Sequence, residues 1–187
     1  MTEFVSSAQN NRQTLIHKGR VFNVFQETVT LPNGASLKLD VIRHPGAAAI
    51  VPLTRSHNVI MLQQYRHAVG GTIWEIPAGT LNDKESPLTC AQRELTEETG
   101  YKASTWQKLG EITPVPGYSD ERIQIFLAME LTLSLQNLDS DEVLVVREVA
   151  FIEALKMISR GSIQDAKTIC GLFMADAWLK EHSCGIT

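Results

Sequence analysis

Five carboxylates and one arginine crowd between two glycines in the 23 residues from Gly79 to Tyr101, GTLNDKESPLTCAQRELTEETGY. Glu94 and Glu98 stand four apart, and Glu97 stands three from Glu94. On a helix all three project from one side. Like charges at that spacing repel by roughly a few tenths of a kcal/mol per pair even in water. They also sit in the C-terminal half of the segment, where a helix dipole disfavours anions. Folding alone does not call for this arrangement, whereas a hard divalent cation does. Mg²⁺ or Mn²⁺ takes carboxylate oxygens and shares its remaining positions with water and phosphate. Arg93 lies about a quarter-turn off the acidic face and is a natural partner for Glu85, just ahead of the helix. The plain alternative is a solvated acidic face, which charge runs usually are. The length of the pattern, with both glycines and the arginine in place, argues against it.

The elements that must hold these groups can be read around them. Ser86 is a good N-cap and Pro87 suits a first helical position. Gly100 can take the left-handed conformation that ends a helix. Leu88, Ala91, Leu95 and Thr99 recur at helical spacing and predict an inward face.

Residues 1 to about 12 are polar and read as a frayed end. From Leu15 to Arg43 the pattern is β, with strands at Val21–Leu31 and Ser36–Ile42 around a Pro32-Asn33-Gly34 turn. Ala47 to Leu53 is a continuous apolar run that predicts a strand buried on both faces. Val59–Tyr65 is the next strand and delivers Arg66 at its end, and Ile73–Pro77 is a short one. Further strands are expected near Thr105–Ile112, Arg122–Leu131 and Val143–Phe151. Ile152–Ser159 and Ile163–Lys180 read as helices, the second with apolar residues at Ile169, Leu172, Phe173, Ala177 and Trp178. This order predicts a mixed α/β layered domain whose strand order cannot be derived from pattern alone.

A chain of 187 residues with 43% hydrophobic residues can bury a core as one domain, with a small N-terminal appendage. Net charge −4 and pI near 5.7 argue against nucleic-acid binding through a broad basic surface. Three cysteines, Cys90, Cys170 and Cys184, without metal-type spacing suggest reduced thiols. The N-terminus lacks the marks of a signal peptide, and no stretch is long enough to span a membrane. A cytoplasmic protein is the expectation.

The Gly79–Tyr101 stretch resembles the signature box of the Nudix hydrolases at every fixed polar position and at both glycines. Its closing position departs from the usual aliphatic residue, since it is Tyr101 here. Residues outside the box resemble one branch, the ADP-ribose and nucleoside-diphosphate-sugar pyrophosphatases. These are Gln64-Tyr65-Arg66, Trp74-Glu75-Ile76-Pro77-Ala78-Gly79 and the loop from Thr113 to Arg122, with Pro116 at the place that marks ADP-ribose preference. The resemblance implies an α/β/α sandwich with a mixed central sheet over residues 46–187. A small antiparallel β module over residues 1–45 would precede it and pair two chains into a homodimer.

The resemblance also implies roles. The main-chain oxygen of Ala78, with Glu94 and Glu98, would hold Mg²⁺ or Mn²⁺, two or more ions in all. Glu97 would be a further ligand or a base, and Glu85 with Arg93 would hold the geometry of loop and helix. A last carboxylate would come from the Asp139–Glu142 loop, with Glu142 the best match among Asp139, Asp141 and Glu142. Arg66 would contact phosphate, and Glu121 and Pro116 would meet the substrate from the loop after the box. Trp74 either shapes the site or packs in the core. Phe25, like Phe22, either stacks a nucleobase or packs in its sheet. His67, beside Arg66, has nothing to position it as a base. The implied reaction is metal-dependent hydrolysis of a nucleoside diphosphate sugar, ADP-ribose first and GDP-mannose or others beside it. The alternatives are a Nudix hydrolase acting on oxidised nucleoside triphosphates or dinucleoside polyphosphates, and a nucleotide-sensing domain that does not cleave.

Overall fold

Ala47–Pro52 (β4) is buried at every residue in the computed structural model, which describes residues 9–138 and 142–183. Side chains alternate across a strand, so this one feeds two cores. Ala48 and Ile50 meet Cys90, Ala91 and Leu95 of the helix Pro87–Thr99 (α1). Ala47, Ala49 and Val51 meet a larger core that includes Leu172 and Ala175 of the last helix. Three alanines in a row let a helix approach each side closely.

The strands divide into three sheets. Gln9–Lys18 (β1), Asn23–Thr30 (β2) and Ser36–Arg43 (β3) form an antiparallel sheet in that order. Asn58–Arg66 (β5) lies between Leu144–Ala150 (β10) and Gly71–Glu75 (β6), antiparallel to both. The third sheet runs β7-β4-β9-β8, from Ala78–Thr80 (β7), Tyr101–Ile112 (β8) and Ile123–Leu133 (β9) around β4. It is mixed, because β4 runs parallel to β9 and antiparallel to β7. Phe151–Ser159 (α2) and Ala166–Ser183 (α3) follow β10. With α1 on one side of β4 and α3 on the other, this is the α/β/α sandwich with a mixed central sheet that the sequence led us to expect. The antiparallel N-terminal sheet is also present. Among the described residues, no helix is long and apolar enough to cross a membrane.

Four expectations need correction. Residues 9–12 are not frayed: they belong to β1, where Gln9 pairs with Thr30 and Arg12 with Thr28. The helix expected from Ile163 begins at Ala166, because the Asp165 carboxylate caps it, accepting from the Thr168 N–H at 3.0 Å. Leu88 is 39% exposed, since it lies in the first turn of α1, ahead of the residues that meet β4. Phe173 is 51% exposed; Leu172 and Ala175 carry the inward face of α3.

The N-terminal sheet is tied to the rest through Asp120. Its carboxylate accepts from Arg43 at 3.1 Å and from the His44 N–H at 2.9 Å. The Asp120 N–H in turn donates to Ile42 O.

Candidate active site

The ends of α1 form as the local sequence predicts. Ser86 Oγ accepts from the Thr89 N–H at 3.1 Å, and Gly100 closes the helix at φ 71°. This frame turns Ala91 and Leu95 into the core and carries Glu94 and Glu98 with them, to 8% and 2% exposure. Glu98 accepts from the Ala78 N–H at 2.9 Å. Burial pushes its carboxyl well above the ordinary carboxylate range, and the nearby Glu94 adds to this. Burial also raises Glu94, against the pull of Arg93.

Glycine at position 79 makes that placement possible. A Cβ there would lie 1.8 Å from Glu94 Oε1 and 2.0 Å from its carboxyl carbon. Glu94 therefore rests against the backbone of β7.

Arg93 organises the rest of the box. It grips Glu85 with two parallel hydrogen bonds of 2.9 Å each. Its other terminal nitrogen reaches Glu94 at 2.5 Å and Glu97 at 3.0 Å. It also donates to Thr80 O at 3.3 Å. Glu85 meanwhile accepts from the Asn82 N–H at 2.9 Å, so the loop before α1 is fastened to the helix through one guanidinium.

Buried carboxylates whose charge is disfavoured by their surroundings are the donor set of a hard divalent cation. The chemistry of Glu94 and Glu98 fits such an ion, and the half-buried Glu97 on the same helix face adds a further carboxylate. Among the described residues, however, no three His, Cys, Asp or Glu side chains converge on one point. Glu94 and Glu97 close on Arg93 instead.

These groups form part of a cleft of about 860 Å³, a volume suited to a small organic ligand. Of the residues singled out in the sequence, Arg66, Ala78, Arg93, Glu94, Glu97, Glu98, Glu121 and Glu142 line it. Asp139 and Asp141 lie outside the described residues. Glu85 acts through Arg93. Trp74, Phe25 and Pro116 are not in the lining of this single chain. Trp74 neighbours Glu75 on β6, faces the other way and packs on the larger core. Phe25 sits mid-sheet on β2, opposite Leu15 and Val41. Pro116 is exposed, and Pro114 of the same loop reaches the cleft in its place.

One wall was not legible as a unit. Arg66, at the end of β5, donates to Glu75 at 2.7 and 3.1 Å. Lys167, in the first turn of α3, reaches the same carboxylate at 3.1 Å and Asp165 at 3.0 Å. Asp165 also accepts from the Thr168 hydroxyl at 2.6 Å, and that hydroxyl accepts from the Ile76 N–H at 2.9 Å. Glu75 is 2% exposed, so two cations are fixed at the rim by one buried anion. Lys167 had one sequence signal: a lysine in the first turn of a helix opposes the dipole and calls for a reason.

Comparison with known proteins agrees with this architecture. The NUDIX domain family model matches residues 43–171. An ADP-ribose pyrophosphatase of Bacillus subtilis (strain 168) is 41% identical over 155 residues, covering 82% of this chain and 84% of its own. A methanol dehydrogenase activator of Bacillus methanolicus is 38% identical over 156 residues, covering 82% of this chain and 84% of its own. The crystal structure of an ADP compounds hydrolase superposes with a TM-score of 0.82 at 20% identity, covering 95% of this chain and 96% of that one, which shows a shared fold. The match of the domain model over most of the chain, which takes in α1 and the loop before it, makes this protein a member of the Nudix family.

Proposed function

We propose that this chain hydrolyses the diphosphate bond of nucleoside diphosphate sugars, with ADP-ribose the favoured substrate, releasing AMP and ribose 5-phosphate. The observation that carries the reading is the pairing, within one cleft, of the buried carboxylates Glu94 and Glu98 with the fixed cations Arg66 and Lys167. Hydrolysis of a diphosphate uses both: fixed cations to hold its oxygens, and carboxylates for a hard metal that neutralises further oxygens and activates water. The name and similarity of the Bacillus subtilis relative support ADP-ribose as the first compound to try.

Glu94, Glu98 and the main-chain carbonyl of Ala78 would hold Mg²⁺ or Mn²⁺, with Glu97 as a further ligand or base. Such ions, two or more here, neutralise the diphosphate and lower the pKa of a water when bound. Arg66 and Lys167 would hold phosphate oxygens while Glu75 keeps both side chains aimed. Glu142 would orient the attacking water and take its proton. Glu121, near the His44 imidazole at 3.8 Å, would accept from donors on the nucleoside. No serine, cysteine or histidine nucleophile is called for, and Cys90 supports this, because burial pushes its thiol up to about 12.

AMP and ribose 5-phosphate release from ADP-ribose in Mg²⁺, with EDTA and Glu98→Gln as controls, tests the reading. Release should need the metal and fall at least ~100-fold in Glu98→Gln. Near-normal Mg²⁺-dependent hydrolysis by that variant would refute the metal assignment. GDP-mannose, oxidised nucleoside triphosphates and dinucleoside polyphosphates in the same panel decide the substrate class.

The homodimer belongs to this proposal too. Leu15 is 49% exposed and Ile16 58% on β1, and Phe22 41% just before β2, around a sheet with little core of its own; a two-fold partner is the commonest closed way to cover such residues. Light scattering should give twice the chain mass, falling to one chain in Leu15→Asp. A wild-type mass of one chain removes the dimer.

A further inference from the structure

Among the described residues, one buried side-chain polar atom has no hydrogen-bond partner: Oε1 of Gln64. The residue is 4% exposed, yet it lines the cleft. It stands on the central strand of its sheet, opposite Leu144 on β10 and Ile73 on β6. Strand alternation puts its side chain on the same face as that of Arg66, two residues on. The bond from Tyr65 N–H to Val143 O, 2.9 Å, ties the next residue of β5 to the entrance of β10, where Glu142 lines the cleft. Gln64 thus lies on the wall that carries Arg66, the arginine proposed above to hold phosphate, beside the strand that delivers the candidate base, with its Oε1 tucked just behind the surface.

Buried polar atoms in folded proteins are nearly always paired, so one left open beside a cleft calls for a partner, either an ordered water or a group of the incoming ligand. An amide oxygen only accepts, and it carries no charge. It therefore takes an O–H or N–H donor and has little to offer a phosphate oxygen. An amide also does not titrate, so unlike the surrounding carboxylates it accepts in the same way at every working pH.

We infer that Gln64 is a positioning residue of the reaction, whose Oε1 accepts a hydrogen bond from an O–H group that enters the cleft with the substrate. That group is either a hydroxyl of the substrate's sugar or the water that attacks the diphosphate. If it is the water, Gln64 fixes one O–H while a carboxylate takes the other proton, which aims an oxygen lone pair at phosphorus. The inference rests on the hydrolase reading above.

Gln64→Met, close in length and without the acceptor, tests it. Gln64→Leu serves as a second variant if the first folds poorly. The readouts are kcat and KM for ADP-ribose in Mg²⁺, the calorimetric Kd for ADP-ribose in EDTA, and Tm. A sugar hydroxyl as donor should raise KM and Kd about tenfold and leave kcat unchanged, which is the loss of one hydrogen bond to a buried acceptor. The attacking water as donor should lower kcat about tenfold with Kd unchanged. A change in Tm alone, with kcat, KM and Kd as in the wild type, means that Oε1 holds a structural water only, and it overturns the inference. A wild-type chain that cleaves no nucleoside diphosphate sugar overturns the hydrolase reading and this inference with it. An active wild type matched by both variants overturns the inference alone.

Discussion

Replacing Gly79 by alanine adds one methyl group, and the structure says where it lands. The new Cβ would lie 1.8 Å from Glu94 Oε1 and 2.6 Å from its Cγ. Ordinary contact begins at 3.4 Å, so the carboxylate has to withdraw by about 1.6 Å. The backbone of Gly79 is not in the left-handed region, so alanine can adopt it, and the atoms in the way belong to one flexible side chain. Glu94 can therefore swing to another rotamer at a cost of about 1 kcal/mol, which for a chain of this size is a Tm loss of about 2–4 °C. What does not survive is the place of its oxygen. A misplacement of about 1 Å at a reacting centre costs on the order of 100-fold, so Gly79→Ala should lose about that factor in kcat for ADP-ribose in Mg²⁺, with a much smaller change in KM. Thermal unfolding and a coupled AMP assay on the same preparation separate the two effects. A variant with normal Tm and kcat within about threefold of wild type would refute the reasoning, because Glu94 would then have no fixed task at that position.

Lys167→Met should raise KM for ADP-ribose by about ten- to a hundredfold, the range expected for one charged hydrogen bond. It should also lower Tm, because Glu75 then stays buried with Arg66 alone; KM values equal to those of the wild type for both ADP-ribose and GDP-mannose would remove Lys167 from the binding wall. The hydrogen bond from Arg93 holds Glu85 below its ordinary value near 4.5. The folded value is thus below the unfolded one, so this pair stabilises the fold above pH 4.5 and the contribution is lost as pH falls through the lowered value. Tm followed by calorimetry should fall less steeply below that pH in Glu85→Gln than in the wild type, and parallel curves would contradict the assignment.

Parts of this molecule were legible because their causes are local. Ser86, Pro87 and Gly100 announce the ends of α1, and the apolar run from Ala47 announces β4, since capping and burial act through neighbours in sequence. The spacing of Glu94, Glu97 and Glu98 showed that they share a face, and the partnership of Arg93 with Glu85 followed from charge. Other features have no local cause. The three residues of β7 are a strand only because β4 lies alongside. Residues 9–12 are polar and without alternation, and they become a strand because β2 offers its edge. The wall of Arg66, Glu75 and Lys167 joins two strands of one sheet to the start of a helix near the end of the chain, a juxtaposition set by the packing of α3. Trp74 and Glu75 are neighbours with opposite fates, since the pleat sends one to the core and the other beneath the two cations of the cleft wall.

The grip of Arg93 has a consequence for how this cleft fills. Its guanidinium already serves as the resident counter-ion of Glu94 and Glu97, so the divalent ion proposed above would displace a charge before it added one. Loading on that proposal would be an exchange, its free energy a difference between two attractions of the same kind. Glu85 and Thr80 O give the displaced guanidinium somewhere to remain, so release of two carboxylates need not disorder the arginine. At this corner of the cleft the arginine and its carboxylates offset one another, so a bound cation would take over a charge partnership that already exists.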